Sequence, residues 1–300
     1  MLLAIPALRA ARRRWPQDTL ILAAQPRIGR LLVALGVVDR AVDFEALGLD
    51  ALFEIEPAGA ELGWPARCAD DLRRATRVIA WIGSREPRFV RRLTSLVPGA
   101  VVAPSVGAGR PVWEHLLDTV GATGGGRALC EPVVVQSALV DEARGALVDE
   151  GWDGRVPLLV MHPGAGGRGK RFAPAGFSAV IERVAAALPQ LAIVVHQGPA
   201  DADAVASLSG RLAGRVVVLQ EPELPLLAGV LSHATAYLGN DSGVSHLAAA
   251  VGARSVVLFG ADRMVWRPWA SHAAPLVVAM PILDEPDVAR VEGALTPLLS

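Results

Sequence analysis

The sequence predicts an α/β protein made of two domains, each built around a parallel, doubly wound sheet. Its second half alternates regularly between short apolar runs and amphipathic stretches. The apolar runs are nearly continuous in Val, Ile and Leu, which is typical of strands covered by helices on both faces. Strand–helix–strand repetition favours parallel pairing through right-handed crossovers. The length of 300 residues suits two domains of about 150 residues each.

In the second half, the predicted strands are Leu158–Met161, Leu191–His196, Val216–Leu219, Thr235–Leu238 and Ser255–Phe259. The predicted helices between them are Pro174–Leu188, Ala200–Leu212, Glu223–Ser232 and Gly243–Val251, and Glu285–Leu299 forms a closing helix. Ligands of such sheets bind beyond the carboxyl ends of the strands. The loops expected there are His162–Lys170, Gln197–Pro199, Gln220–Glu223, Gly239–Gly243 and Gly260–Arg263.

The first half repeats the pattern less regularly. Its predicted strands are Leu20–Ala23, Ala41–Phe44, Val78–Ile82 and Ala100–Ala103, and its predicted helices are Pro6–Arg14, Arg27–Leu35, Pro87–Leu96, Pro111–Val120 and Ala138–Asp149. The glycine-rich stretch Gly121–Gly126 is expected to be a flexible connection. We place the domain boundary near residue 150, with Gly121–Pro132 as a second candidate. The predicted domains are therefore 1–150 and 151–284, followed by the closing helix at 285–300.

Composition excludes several classes of protein. With 52% hydrophobic and 20% charged residues, the chain can bury large cores and is not expected to be disordered. A formal net charge of −1 argues against a nucleic-acid binder. The two cysteines provide no disulfide framework and fit a reduced, cytoplasmic setting. No apolar run reaches the roughly 18 residues that span a bilayer, and the first residues do not resemble a signal peptide.

The loop from His162 to Phe172 follows a predicted strand and contains four glycines, which allow a ligand to approach the backbone closely. Lys170, with Arg168 and Arg171, supplies positive charge for a phosphate group. The Gly-Lys-Ser/Thr pattern of a P-loop is missing. The structural alternative is a surface loop with solvated basic residues.

The stretch from Asn240 to Gly252 predicts a polar turn between a strand and a helix. The N–H groups at the start of that helix, from Ser242, Gly243 and Val244, favour an anion such as a diphosphate. A diphosphate repels Asp241, so Asp241 is expected to accept hydrogen bonds from sugar hydroxyls. Alternatively, Asp241 or Ser242 is simply the N-cap. His246 is either part of the site or a core histidine bonded to a backbone carbonyl.

Two further groups have both a functional and a structural interpretation. Gly198, Glu221 and Leu224 follow the next two predicted strands and are candidates for binding a nucleoside, but ordinary turns would use similar residues. Basic residues end the first predicted helix, where they form either a solvated face or a landing site for an anionic acceptor: Arg9, Arg12, Arg13 and Arg14.

Several segments between residues 158 and 268 match one family pattern in order and spacing. They are His162-Pro163-Gly164 with Lys170, Gly239-Asn240-Asp241-Ser242-Gly243, His246–Gly252, Leu258-Phe259-Gly260 and Trp266-Arg267-Pro268. Together they resemble glycosyltransferase family nine, the heptosyltransferases of lipopolysaccharide core assembly. The first half resembles the family only weakly, through Leu3–Arg9 and Glu114-His115-Leu116.

The resemblance implies a GT-B fold, in which two Rossmann-like domains have parallel sheets facing a cleft. It implies an inverting transfer of heptose, or a related sugar, without a metal or other cofactor. The donor would be ADP-heptose or another nucleotide diphosphate sugar, held by the second domain. The acceptor would be an anionic, lipid-linked glycan such as the lipopolysaccharide core, held by the first. The implied location is cytoplasmic, with peripheral contact at the inner face of the inner membrane as a further option.

One departure concerns the general base. In the family a strand and a Gly-Asp pair precede the segment that corresponds here to Leu2–Leu8, and the aspartate is the base. We therefore expect the first strand and the base in sequence upstream of Met1, and leave the catalytic residue unknown. The alternative function is a nucleotide-sugar-binding protein without transferase activity. A Rossmann oxidoreductase is disfavoured because no Gly-x-Gly-x-x-Gly follows the first strand, and Ser242 lacks the elbow of a hydrolase nucleophile.

Overall fold

The computed structural model describes residues 1–54, 63–122, 126–209 and 216–300, and it divides into two compact units. One unit contains Met1 and Leu3–Leu129, and the other contains Leu2 and Cys130–Ser300. The division lies inside the second candidate boundary rather than near residue 150. Ser137–Asp149, expected in the first domain, instead belongs to the second unit. Of the predicted Gly121–Gly126 connection, residues 123–125 lie outside the described part of the chain.

The described part of the first unit contains two separate parallel strand pairs. Strand β1 (Ile21–Ala24) pairs with β2 (Arg40–Asp43), and β3 (Ile79–Ala80) pairs with β4 (Val101–Val102). The helices are α1 (Ile5–Arg14), α2 (Pro26–Ala34), α3 (Asp70–Arg73), α4 (Pro87–Leu96) and α5 (Val112–Thr119). Fully buried Phe89 and Leu93 of α4 belong to an apolar core that packs against residues of both strand pairs. All the predicted strands and helices of this unit are therefore present, with β3 and β4 shorter than expected.

In the second unit, one six-stranded parallel sheet forms from the residues that the structure describes. Its strands are β5 (Leu158–His162), β6 (Ala192–Gln197), β7 (Val217–Gln220), β8 (Ala236–Asn240), β9 (Ser255–Phe259) and β10 (Ala273–Val277). Its helices are α6 (Ser137–Asp149), α7 (Pro174–Ala187), α8 (Ala202–Ser209), α9 (Leu224–His233), α10 (Gly243–Ala250) and α11 (Glu285–Leu299). Each predicted strand begins within one residue of its expected start. The predicted end of α8 at Leu212 lies outside the described residues.

Helix α6 joins this unit because it packs closely on α9. A Cβ atom built at Gly229 of α9 would lie 2.3 Å from the backbone oxygen of Leu139 in α6. The two helix backbones thus meet where only glycine fits. None of the helices in the described ranges is long and apolar enough to cross a membrane.

Strand β10 was not predicted. It is an edge strand, next to β9 in the order β10-β9-β8-β5-β6-β7, and most of its residues are only partly buried. It also contains Pro275, which edge strands tolerate because one side of the ladder needs no donor. Its residues Ala273–Val277 are all apolar, but a proline inside such a run argues against a strand in the centre of a sheet.

The strand order reverses between β5 and β8. From β5 the chain adds β6 and β7 on one side, and from β8 it adds β9 and β10 on the other. Both strands are fully buried, and His162 at the end of β5 pairs with Gly239 of β8. In open α/β sheets, the crevice at such a switch point is where ligands bind.

Candidate functional site

Asn240, the last residue of β8, fastens the loop that follows β5. Its side chain is fully buried, and its Oδ1 accepts the N–H of Phe172 at 2.9 Å. Its Nδ2 donates to the carbonyl oxygens of Pro163 at 2.8 Å and of Gly164 at 3.4 Å. One amide thus ties both ends of the loop from Pro163 to Phe172 to the neighbouring strand. This positions Lys170, which lies within the loop.

Helix α10 begins at the carboxyl end of β8. Ser242 is the N-cap: its backbone is extended, and its Oγ accepts the N–H of Ser245 at 3.3 Å. Asp241 is therefore not the cap, and its side chain has another role. The N–H groups of the first helical turn, at Gly243 and Val244, precede the intrahelical bonding pattern, so this end of the helix is positive and suits an anion.

The buried carboxylate of Asp241 is surrounded by basic groups. Its Oδ2 lies 3.3 Å from Nε of Arg263 and 3.7 Å from Nζ of Lys170. Its Oδ1 lies 3.8 Å from Nε2 of His246. Burial would raise the pKa of Asp241, but His246, Lys170 and Arg263 together hold it below its ordinary value. Asp241 is thus ionised at neutral pH and paired with cations. A sugar hydroxyl that binds Asp241 would have to approach these cations as well.

His246, in the first turn of α10, is not the carbonyl-bonded core histidine of the structural alternative. Its Nε2 faces Asp241, whereas its buried Nδ1 has no hydrogen-bond partner among the described residues. Buried polar atoms are nearly always hydrogen-bonded, so an unpaired ring nitrogen next to a helix N-terminus indicates a place for a ligand or water.

Only one of the three basic residues of the β5–α7 loop faces this carboxylate. Lys170 has a side chain that is 37% exposed, so its charge is accessible. Arg168 is 89% exposed and lies 3.5 Å from Asp203. Arg171 binds both carboxylate oxygens of Asp203 at 3.0 Å. The phosphate contact stays a prediction, with Lys170 as its candidate, because Arg168 and Arg171 face α8.

Sequence reasoning missed Arg263. It lies in a 3-10 helix, Ala261–Trp266, after β9, and its guanidinium stands 5.2 Å from the centre of the Trp266 ring. Its only signal in the sequence was its position at the end of a loop expected at the ligand-binding edge. Contact with Asp241 requires β8 and β9 to be neighbours, which the sequence alone did not establish.

A buried cluster of His162, His196 and Asp201 lies beneath the β5–α7 loop. The Nδ1 atoms of the two histidines are 3.1 Å apart, and His162 Nε2 is 3.8 Å from Asp201 Oδ2. Burial lowers the pKa of His162 to about 4, so this ring is neutral at physiological pH. Neutral histidines and a carboxylate can hold a metal ion, and one ligand atom from each lies within 4.8 Å of the others.

The contacts of Asp201 favour a structural role for this cluster. Its Oδ2 accepts the N–H of Gly198 at 3.1 Å, and its Oδ1 lies 3.8 Å from Arg171. A metal would have to share the carboxylate with this cation. A Cβ atom at Gly164 would lie 2.0 Å from Asp201 Oδ1, so the cluster also presses against the loop backbone.

The predicted nucleoside-binding residues lie together beyond β6 and β7. The N–H of Glu221 donates to the carbonyl of Gln197 at 2.8 Å, which brings the two loops side by side. Glu221 is exposed and has a φ of +42°, a strained conformation for a residue with a side chain that often accompanies function. Gly198 is buried against Asp201, and the half-buried Leu224 is the first residue of α9.

The arginines of α1 make contacts within the first unit. Arg9 donates to the carbonyl of Leu129 at 3.2 Å, and Arg12 pairs with Asp39 at 2.6 Å. Arg13 is exposed and donates to the carbonyl of Ala128 at 3.2 Å. These contacts support the structural interpretation of the cluster, with Arg13 the most available of the three residues expected to bind the acceptor.

Solved structures with similar architecture define the fold class. The E. coli ADP-heptose lps heptosyltransferase II superposes with a TM-score of 0.72 at 17% identity, covering 100% of this chain and 95% of that one. A family 9 glycosyl transferase from Veillonella parvula DSM 2008 gives 0.74 at 14% identity, covering 99% and 93%. E. coli heptosyltransferase WaaC with ADP gives 0.66 at 15% identity, covering 98% and 95%. The fold is therefore of the GT-B class, as the resemblance implied.

Sequence comparison then identifies the family. Residues 131–290 match the model described as glycosyltransferase family 9 (heptosyltransferase), so the chain belongs to that family. Lipopolysaccharide heptosyltransferase 3 of E. coli is 34% identical over 124 residues, which are 38% of this chain and 34% of the relative. The match therefore spans about a third of the length of that curated relative.

Proposed function

We propose that this protein is a glycosyltransferase that moves a heptose, or a related sugar, from a nucleotide diphosphate sugar to a glycan acceptor. ADP-heptose is the proposed donor, and a lipopolysaccharide core is the proposed acceptor. The observation that carries the proposal is that Lys170, which contacts Asp241, and the N-terminus of α10 lie at the same switch point of the second sheet. Two positive elements at one crevice suit a diphosphate.

Each part of the donor has a proposed partner. The diphosphate contacts Lys170 and the turn formed by Ser242, Gly243 and Val244. The nucleoside lies along the loops after β6 and β7, where Glu221 offers a carboxylate to the ribose hydroxyls and Leu224 offers an apolar surface to the base. Asp241 orients the sugar and, as its contacts indicate, also holds Lys170 in place.

The proposed reaction is a displacement with inversion. A hydroxyl oxygen of the acceptor forms a bond to the anomeric carbon and releases its proton to a basic group or to water. The bond from that carbon to the diphosphate oxygen breaks and leaves its electron pair on the nucleotide. Negative charge grows on the leaving group, so preorganised positive groups stabilise the transition state more than the ground state. In this scheme Lys170 and α10 do the work of a divalent cation, and we propose a metal-independent enzyme.

Two charge-removing variants of the same loop test the proposal. Lys170→Ala should weaken ADP binding by about 1.5–3 kcal/mol, the range for a hydrogen bond to a charged group. Arg168→Ala removes an equal charge from a residue that faces Asp203, so its effect should stay within about twofold, as for a screened surface charge. Isothermal titration calorimetry measures both. Equal losses in the two variants would contradict the assigned phosphate site.

Turnover is followed as ADP release from ADP-heptose in the presence of a lipopolysaccharide core acceptor. Acceptor-dependent release supports the transferase. Binding of ADP-heptose without release would instead identify a nucleotide-sugar-binding protein. A chain that binds neither ADP nor ADP-heptose at millimolar concentration does not have the proposed function.

A further inference from the structure

Arg263 is partly exposed, and two neighbouring residues hold its side chain in one direction. Its Nε donates to Asp241 Oδ2 at 3.3 Å, and its guanidinium stands 5.2 Å from the centre of the Trp266 ring. The side chain is 29% exposed. Over the ranges 1–54, 63–122, 126–209 and 216–300, its terminal Nη atoms have no hydrogen-bond partner. The side chain is therefore held through Nε, while the N–H donors of its two Nη atoms are unused.

The charges around Asp241 do not balance. Lys170 and Arg263 both approach the same carboxylate oxygen, so two cations share one anion. Their nitrogens are at most about 7 Å apart, the sum of the two distances to that oxygen. The buried, unpartnered Nδ1 of His246 belongs to the same cluster. A surplus positive charge next to an unpaired ring nitrogen favours an anionic ligand.

We propose that Arg263 is a second diphosphate-binding residue, which grips the phosphoryl oxygens beside Lys170 while Asp241 and Trp266 hold it in position. This inference rests on the proposed function, because it names a further contact to the same donor. Guanidinium presents a planar fork of donors that matches phosphoryl oxygens, whereas the ammonium of Lys170 acts as a point charge. The two cations can therefore contact the two phosphoryl groups of one diphosphate.

The test uses the full chain and two probes, inorganic pyrophosphate and ADP. Arg263→Ala should raise the dissociation constant of each probe about tenfold, the loss of one charge-assisted contact to phosphate. Arg263→Lys keeps the charge without the fork and should recover part of the loss. Arg267→Ala is the matched control, since Arg267 donates to the carbonyl of Met264 and, in the described part of the chain, makes no contact with Asp241. It should bind both probes within about twofold of the wild type.

A purely structural role for Arg263 would affect folding rather than ion-dependent binding. We therefore expect binding by Arg263→Ala to depend less steeply on salt than binding by the wild type, because one fewer charge contacts the ligand. An unchanged pyrophosphate affinity in Arg263→Ala, or an equal loss in Arg267→Ala, overturns the assignment. Wild-type binding of pyrophosphate that weakens in Arg263→Ala, without any binding of ADP or ADP-heptose, leaves the assignment intact and refutes the proposed donor. If the wild type binds neither pyrophosphate nor ADP, both the assignment of Arg263 and the proposed function are refuted.

Discussion

Replacing Asn240 tests whether one buried amide sets the shape of the loop that carries Lys170. In Asn240→Ala, the N–H of Phe172 and the carbonyl of Pro163 lose their partners at 2.9 and 2.8 Å. Both residues are buried. An unsatisfied buried polar group costs about 1–3 kcal/mol, so with two such groups we expect the loop to lose roughly 2–6 kcal/mol of stability.

Asn240→Asp is the matched variant, because it keeps the shape and changes only the chemistry. One carboxylate oxygen can still accept from Phe172, but the other would face the carbonyl oxygens of Pro163 and Gly164. The fold therefore favours the protonated acid and raises the pKa of the introduced group. Relative to the wild type at each pH, this variant should be most stable near pH 4 and should lose stability as the pH rises.

Hydrogen exchange of a peptide containing Phe172 measures the effect where it occurs. A loss of 2 kcal/mol in the local opening free energy speeds exchange about thirtyfold. The affinity for ADP should fall with it, because Lys170 is no longer held in place. The view that Asn240 organises this loop is refuted by one result. In it, the Phe172 peptide of Asn240→Ala exchanges at the wild-type rate and ADP binding is unchanged.

Three further predictions concern the same edge of the sheet. The pKa of His162 is lowered to about 4, so the unfolded chain binds a proton there that the folded chain does not. Stability should therefore fall as the pH drops from about 6.5 to 4, and His162 contributes at most about 3 kcal/mol to this loss. In His162→Gln, the unfolding free energy should change less over that pH range. Gly164→Ala places a Cβ atom 2.0 Å from Asp201 Oδ1, whereas Gly166 has open space. The first substitution should lower stability by about 1–3 kcal/mol, the second should have little effect, and equal melting temperatures would contradict the close contact. The pKa of Asp241 is lowered against its burial, so its contribution to stability is present above about pH 4 and is lost as the pH falls through the folded value. Asp241→Asn should abolish that contribution, seen as a smaller difference between unfolding free energies at pH 3 and pH 6 than in the wild type.

Local pattern was enough to predict most of the second unit. Its strands are short apolar runs with both faces covered, and a run of that kind is visible in a few consecutive residues. The polar turn at Asn240–Gly243 and the glycine-rich loop with Lys170 were visible for the same reason. Expecting both at the ligand-binding edge required only the general rule for parallel sheets. Strand β10 was missed although its residues are apolar, because Pro275 argues against a central strand and only an edge strand tolerates it.

The sequence by itself determined most of the strands and helices, and which loops carry the polar residues of the site. Only the tertiary structure decided what each side chain does there. Asn240 proved to fasten a loop, Ser242 to cap α10, and Asp241 to hold Lys170 and Arg263. The tertiary structure also assigned Ser137–Asp149 to the second unit. The physical reason is that periodicity is set by neighbouring residues, whereas partners are set by the order in which strands join the sheet, which brought β5 and β9 to the two sides of β8.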